Sequence, residues 1–532
     1  MKKILGLILC VLMAVPAAFA GCGGSGGSDN TFVVSYYNGG YGSEWLKQAA
    51  DSFGAQKGIK VRLVAEADYD CGASVKLTSG KNLPDLYIAS SGTWREWVTK
   101  DYLEDLTDVY EAYTSVTDSS LKGYSSENGG QIKVKDYLDQ RFIDYPYMQK
   151  RMGMGDFKPW VLQWSIQPCG FAYNTDILYA TVHNDKNGKI EGVNTGAKWN
   201  RFPEKVSELI TYFLDIDDNN DANTYGGKKI QLGWSGVQAD TLFGMIRTWW
   251  AQSQGVNASN YEGEGTFFDF FNYGNTTDGK TEKQTFSSKV FEQTGLIKAY
   301  ETLQSIIVDT ENKAYKNSDS QVQGMRSTDA QAAFIKGNYA VIPASSWLEY
   351  EERDFLDTDK DGKNDINFVY HPIVSLDDYS GTQYTYCKIG DIMFVPSKAK
   401  NKELAKEFLV YLSSEENNMT FSKITGSVKP FQYNPIAKAP DHNWTVYTKS
   451  VFETFYEDTT ELIYNYPKNT EKDLVSVLYR YHAYDFIAET SVSTWLQSMK
   501  TKTAAEVAAY VRNSAYTSVG NVAGNYRMDV ID

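Results

Sequence analysis

Hydrophobic residues in this chain alternate between the spacing of strands and the spacing of helices. Thr31-Phe-Val-Val-Ser-Tyr-Tyr37 is a strand-like run, and Asn38-Gly-Gly-Tyr41-Gly42 after it has the composition of a turn. Leu46, Ala49, Ala50 and Phe53 then keep the i, i+3, i+4, i+7 spacing of one buried helix face. Ser43 is placed to cap that helix and Gly58 to end it. Ile59, Val61, Leu63 and Ala65 alternate as a second strand, and Leu83-Pro-Asp-Leu-Tyr-Ile-Ala89 predicts a third. Strand, helix and strand with short links imply a parallel sheet with right-handed crossovers. Ligands on such sheets bind beyond the carboxyl ends of the strands. Those ends fall at 37–41 and 90–94, both aromatic and glycine-rich. Helical spacing returns at Val206, Leu209, Ile210 and Phe213 and at Ala405, Phe408, Leu409 and Leu412. Polar stretches near 184–198, 272–288 and 311–321 read as surface loops, and no repeat of fixed period stands out.

The start of the chain follows another pattern. Met1-Lys2-Lys3 is cationic, and Ile4 to Val15 is an apolar run too short to span a bilayer comfortably. Phe19-Ala20-Gly21-Cys22 then resembles the lipobox of bacterial lipoproteins, in which cleavage leaves Cys22 as the lipid-bearing N-terminus. An ordinary signal peptide cleaved near Ala20 is the alternative. Gly23 to Ser28 has the composition of a flexible tether, which suits an anchored domain. The expectation is a signal peptide over 1–21, a lipidated Cys22 with a linker over 22–30, and a domain held at the outer face of the membrane.

Cleavage leaves 511 of the 532 residues, enough for more than one lobe. With Lys2 and Lys3 gone, 50 basic residues face 67 acidic ones, a net charge of −17. That balance argues against nucleic acid or anionic lipid as a partner. The aromatic content, with 38 Tyr, 25 Phe and 12 Trp, suits the stacking of rings on sugar faces, although large cores need rings too. Cys71, Cys169 and Cys387 are odd in number and far apart. They read as buried thiols, with one disulfide and a leftover thiol as the alternative.

Several segments, in order, resemble the sugar-binding group of extracellular solute-binding proteins of ABC importers, the group that includes maltose-binding protein. Gly170-Phe-Ala-Tyr173-Asn174-Thr-Asp-Ile-Leu178 is similar to its G-x-x-Y-N-x-D-x-L segment. Lys198-Trp199 precedes a helix start where the group's Thr-Trp is only partly kept. Ala332-Ala-Phe334-Ile-Lys-Gly337-Asn-Tyr-Ala340, running on to Ser346-Trp347, resembles A-F-x-x-G-x-A-A-M-x-x-x-G-x-W. The stretch from Gly390 to Glu416 resembles its strand and K-x-A-x-x-F-L helix, and Gly426-Ser-Val-Lys-Pro430 its G-x-x-P segment. The resemblance spans about 32–510, with insertions. It implies an α/β, two-lobed periplasmic-binding-protein-like fold with a hinge and an interlobe ligand cleft. Lobe 1 would be 30–158 with 380–440, and lobe 2 159–379 with 441–532 and its C-terminal helices. The implied function is capture of an oligosaccharide by lobe closure and delivery to ABC permease subunits, by a monomer and without catalysis.

The same resemblance places Trp347 at the family's sugar-stacking tryptophan. It puts Tyr37, Asn38 and Tyr41 in the turn that supplies first-lobe contacts, and Ser91 and Trp94 beyond the third strand. Trp234 lies in the second-lobe contact region, and Lys429 is a hydroxyl donor from the G-x-x-P segment. Of Trp249 and Trp250, or of Trp94 and Trp97, at most one of each pair is expected to face ligand, because neighbouring positions on a helix point different ways.

Asp357, Asp359, Asp361 and Asp365, with Gly362 between them, have the oxygen spacing of a calcium loop. Phe368 stands where the bidentate Glu belongs, so a structural calcium is weighed against a solvated acidic turn. Asp215 to Asn223 is a similar run without the glycine. A surface glycosidase or polysaccharide lyase is the rival class. Against it, no acid lies in a recognisable catalytic context, and no G-x-S-x-G, H-E-x-x-H or phosphate loop is present. The same fold with a peptide, polyamine or metal ligand is the third reading.

Overall fold

The computed structural model describes residues 31–90, 94–141, 158–219, 232, 240–255, 293–309, 326–358, 360, 364–388, 391–456, 460–463 and 498–511, with short pieces at 275–277, 282–287, 314–315, 513 and 528–531. The leader, Cys22 and the linker lie outside these residues. Among them, no helix is long and apolar enough to cross a membrane.

The β-α-β pattern at the start of the domain folds as its spacing requires. Strand Thr31–Tyr37 pairs in parallel with Lys60–Glu66 on one side and Leu86–Ser90 on the other. Helix Glu44–Lys57 makes the first crossover and buries Leu46, Ala49, Ala50 and Phe53. Gly58 closes it at φ 65°, in the left-handed region that favours glycine. Ser43 stands at the N-cap position, but its side chain caps nothing; only its carbonyl accepts, from the Lys47 N–H at 2.8 Å. Two later strands complete the sheet: Asp391–Phe394 runs antiparallel to Leu86–Ser90, and Leu162–Gln163 antiparallel to Asp391–Phe394. The Asp85 carboxylate accepts from the N–H groups of Val33 and Asn401, both at 2.9 Å. It thereby ties the first strand to helix Lys402–Leu412, whose Ala405, Phe408, Leu409 and Leu412 are buried.

A second sheet lies further along the chain. Strand Gly170–Asn174 is flanked in antiparallel by Val341–Ala344 and Phe368–Pro372. The Asn174 side chain caps the following turn of helix, accepting from the Ile177 N–H at 3.1 Å. Helix Val206–Asn219 buries Val206, Leu209 and Phe213. The described residues form two apolar cores. One, built largely on residues 32–138 and 393–433, includes Phe32, Phe53 and Phe408. The larger includes Phe171, Leu209, Trp249 and Val451.

Between the sheets the chain crosses repeatedly. Residues 163–170 pass from the first sheet to the second. Strand Gln383–Lys388, antiparallel to Gln167–Pro168 and parallel to Thr460–Ile463, leads back to Asp391–Phe394. Gly426 ends helix Glu415–Thr425 in the left-handed region, and just beyond it the Val428 carbonyl accepts the Ile166 N–H at 3.3 Å.

Cys71, Cys169 and Cys387 are buried thiols, and none of them is in a disulfide.

Candidate functional site

Strands Thr31–Tyr37 and Lys60–Glu66 are in parallel register to their last residues, so the loops after both rise from one edge of the sheet. Tyr37 is half-buried at that edge, with its ring 4.8 Å from that of Tyr69 at 39°. Tyr69 comes from the loop after the second strand and is 53% exposed. Its carbonyl accepts the Ser90 N–H at 2.8 Å, which fixes it to the end of the third strand. Gly39 makes this arrangement possible, because a Cβ there would lie 2.3 Å from Tyr37 Cζ. Burial, then Tyr69, Glu351 and Asp391, push the Tyr37 hydroxyl well above its ordinary pKa, so it remains a donor.

The facing wall begins where strand Val341–Ala344 ends. Trp347 opens the short helix Leu348–Glu351, is half-buried, and packs on the first core. A Cβ on Gly40 would lie 3.4 Å from Trp347 Cβ, and one on Gly42 would lie 2.8 Å from the Tyr350 ring. Both glycines have positive φ, 34° and 55°. The turn after the first strand is therefore glycine-rich for two reasons. It bends where side chains are strained, and the Trp347 and Tyr350 side chains approach its backbone. Tyr37, Tyr69 and Trp347 stand around this one turn, and they come from segments that follow strands of both sheets.

The floor is polar and sealed. The Asp391 side chain accepts from Ser165 Oγ and Gln167 Nε2. Its backbone carbonyl accepts the Trp164 N–H at 3.1 Å. Burial raises the Asp391 pKa, and its hydrogen bonds work against that rise. Tyr41, Ser346 and Ser427 share a second set of hydrogen bonds close by.

Several residues expected in the site lie elsewhere. Trp94 is fully buried in the larger core, because the helix it opens turns its ring inward; Trp97 is buried there too, and so are both Trp249 and Trp250. Tyr41 is 3% exposed, with its ring edge-on to Trp164 and Phe421 and its hydroxyl taken by the serines. Lys429 is 1% exposed. Its Nζ donates to the Leu412 carbonyl at 3.1 Å and sits 4.9 Å from the Trp45 ring centroid, enclosed among residues of the first core. Asn38 is exposed at the turn, its N–H bonded to the Glu66 carbonyl. Ser91 and Trp234 lie outside the described residues. Tyr69 escaped sequence reasoning; its one signal is its position just past the carboxyl end of a strand.

The acidic runs divide similarly. Asp359 and Asp361 lie outside the described residues, and Asp357 is half-buried. Asp365 accepts from both the N–H and the hydroxyl of Thr358, and those bonds lower its pKa. Among the described residues no group of three His, Cys, Asp or Glu is placed to hold a metal ion. Asp215 belongs to helix Val206–Asn219 and is fully buried. Its carboxylate accepts from Trp199 Nε1 at 2.9 Å, Asn187 Nδ2 at 2.8 Å and the Asn184 N–H at 3.1 Å, and it pairs with His183 Nδ1 at 2.7 Å. It is a structural hub where a cation ligand was weighed.

Comparison with known proteins agrees with this architecture. Residues 39–419 match the model of the bacterial extracellular solute-binding protein family. No curated protein matches the chain in sequence. Among solved structures, an ABC substrate-binding protein from Listeria monocytogenes in complex with cycloalternan superimposes with a TM-score of 0.55 at 14% identity, covering 92% of this chain and 99% of that one. A cyclo/maltodextrin-binding protein complexed with maltotetraose gives 0.54 at 14%, covering 93% and 99%. A family 1 extracellular solute-binding protein from Bifidobacterium longum subsp. infantis gives 0.51 at 15%, covering 92% and 100%. At such identities the likeness is one of fold.

Proposed function

The chain belongs to the bacterial extracellular solute-binding protein family, and from that premise we propose that it captures an oligosaccharide between its two lobes and hands it to an ABC permease for import. The observation that carries the sugar reading is the set of aromatic faces around the first turn. Tyr37 and Tyr69 stand on one lobe and Trp347 on the other, beside hydroxyl and backbone groups suited to sugar hydroxyls. Two of the structural neighbours were solved with sugars bound, one with cycloalternan and one with maltotetraose. A ligand touching both walls favours the closed arrangement by the contacts that it loses when the lobes part.

The family is one of binding proteins, and binding without turnover is part of the proposal. So is the lipid anchor at Cys22, which would hold the protein beside its permease at the outer membrane face. We take 30–158 with 380–440 as the first lobe and 159–379 with 441–532 as the second. No cofactor is required. A calcium ion on the Asp357–Asp365 loop stays a separate expectation, tested by the shift in Tm when calcium is returned to chelator-treated protein.

Calorimetric titration against maltodextrins, cyclic glucans and plant-derived oligosaccharides tests the function, with the sugars analysed for cleavage afterwards. Saturable binding with intact sugar is the expected result. Shortened products would replace the receptor by an enzyme, and silence across the panel would move the ligand to peptides or another solute.

A further inference from the structure

Tyr41, Ser346 and Ser427 each expose 3% or less of their surface, and their hydroxyls meet in one place. Tyr41 Oη and Ser346 Oγ share a hydrogen bond of 2.9 Å. Ser427 Oγ donates to Ser346 Oγ at 2.8 Å and reaches Tyr41 Oη at 3.4 Å. Ser346 also approaches the Ile166 carbonyl, at 3.5 Å. The surroundings are otherwise rings, with Trp164 and Phe421 edge-on to Tyr41.

The partners come from different parts of the fold. Tyr41 lies in the turn after the first strand of the five-stranded sheet. Ser346 lies two residues past Val341–Ala344 in the other lobe, and Ser427 follows Gly426 at the end of helix Glu415–Thr425, on the same side as Tyr41. A buried hydroxyl without a partner is destabilising, so Tyr41 and Ser427 on one side and Ser346 on the other depend on a contact that lobe motion would break. Sequence adjacency then links them to the site. Ser346 precedes Trp347 and Tyr41 follows Gly40, and Gly40 is the residue whose Cβ would touch Trp347.

We infer that Tyr41, Ser346 and Ser427 form a latch that is complete only when the lobes are closed and that positions Trp347 against the Gly39–Gly40 turn. Tyr41 is then a positioning residue with no ligand contact of its own. The inference rests on the two-lobe capture reading, and it adds a device that acts before any ligand arrives.

The test uses small-angle X-ray scattering on the purified, sugar-free protein, comparing wild type with Tyr41→Phe and Ser427→Ala, with thermal melting alongside. Phe keeps the ring packing and removes only the hydroxyl. Both variants are expected to show a larger radius of gyration than wild type, with Tm within a few degrees of it. Tyr41→Phe with Ser427→Ala together is expected to expand the protein no further than either alone, because each change already opens the same set. Maltotetraose is the ligand probe, and dissociation from Tyr41→Phe should be roughly tenfold faster with association little changed. Scattering profiles identical to wild type would overturn the latch, and so would a large fall in Tm with an unchanged profile, the mark of a merely structural bond. If wild type fails to bind every sugar tested, the oligosaccharide reading falls while the sugar-free scattering still decides the latch.

Discussion

Tyr37 folds its ring over Gly39, and the space that it occupies is the space a Cβ would need. Gly39→Ala should therefore dislodge the ring from Tyr69 and cost about 1–3 kcal/mol. Most of that loss should appear in sugar affinity, measured by titration, because Tyr37 lies at the sheet edge. Trp347 is the complementary case. It is half-buried and stands at the start of a one-turn helix, so truncation removes a face that no neighbour replaces. Trp347→Ala should weaken binding by about 2 kcal/mol or more, roughly 30-fold in Kd, with a small change in Tm. An unchanged Kd would remove the ring from the site. Trp94 and Lys429 show what the neighbourhood of a residue decides. Both sit where the resemblance implies ligand contacts, but one ring is fully enclosed and the one ammonium donates to a backbone carbonyl.

Periodicity governs the elements, and tertiary partners decide what their odd residues do. Helix Val206–Asn219 was legible from Val206, Leu209, Ile210 and Phe213. The acidic tail of that helix reads in the sequence as a calcium-like run without its glycine. In the fold, Asp215 faces inward and gathers Trp199, His183, Asn184 and Asn187. The polar stretch 184–198, which reads as surface loop, is thereby fastened to the helix. Asp215→Ala leaves several buried donors without an acceptor and should destabilise the protein by about 3 kcal/mol or more, seen as a lower urea midpoint. Sugar affinity, measured well below the melting range, should hold, since none of these residues belongs to the aromatic site. Loss of affinity at unchanged stability would move Asp215 into the binding machinery.

At the scale of the whole molecule, two buried charges make stability depend on pH in opposite senses. Burial lowers the Lys429 pKa from 10.5 to about 7. Between those values the unfolded chain binds the extra proton, so stability rises with pH through that window, by up to about 1.4 kcal/mol per unit. Lys429→Met should be more stable than wild type at pH 6, and its advantage should shrink towards pH 9. Burial and the neighbouring Glu351 raise Glu352 from 4.5 to about 7, with Lys336 opposing. Here the folded state binds the extra proton, so stability falls as pH rises from about 4.5 to 7. Glu352→Gln should gain on wild type across that lower window. Denaturant midpoints at pH 5, 7 and 9 check both, and parallel curves for variant and wild type would contradict the respective assignment.

What the sequence determined by itself was everything that local spacing and ordered motifs encode. The β-α-β opening, the helix faces, the glycine end at Gly58, and the solute-binding family with its two lobes are all legible in the sequence. These follow from periodicity and from backbone conformations that only certain residues adopt, and both are written in neighbouring residues. The tertiary structure alone decided which polar groups are sealed and which aromatic faces stay open. Tyr41 is latched while Tyr69 is offered, and Lys429 and Asp215 are enclosed. Burial depends on chain segments hundreds of residues apart, such as Tyr41 with Ser346 and Ser427, and no local pattern in this sequence records which segments will meet.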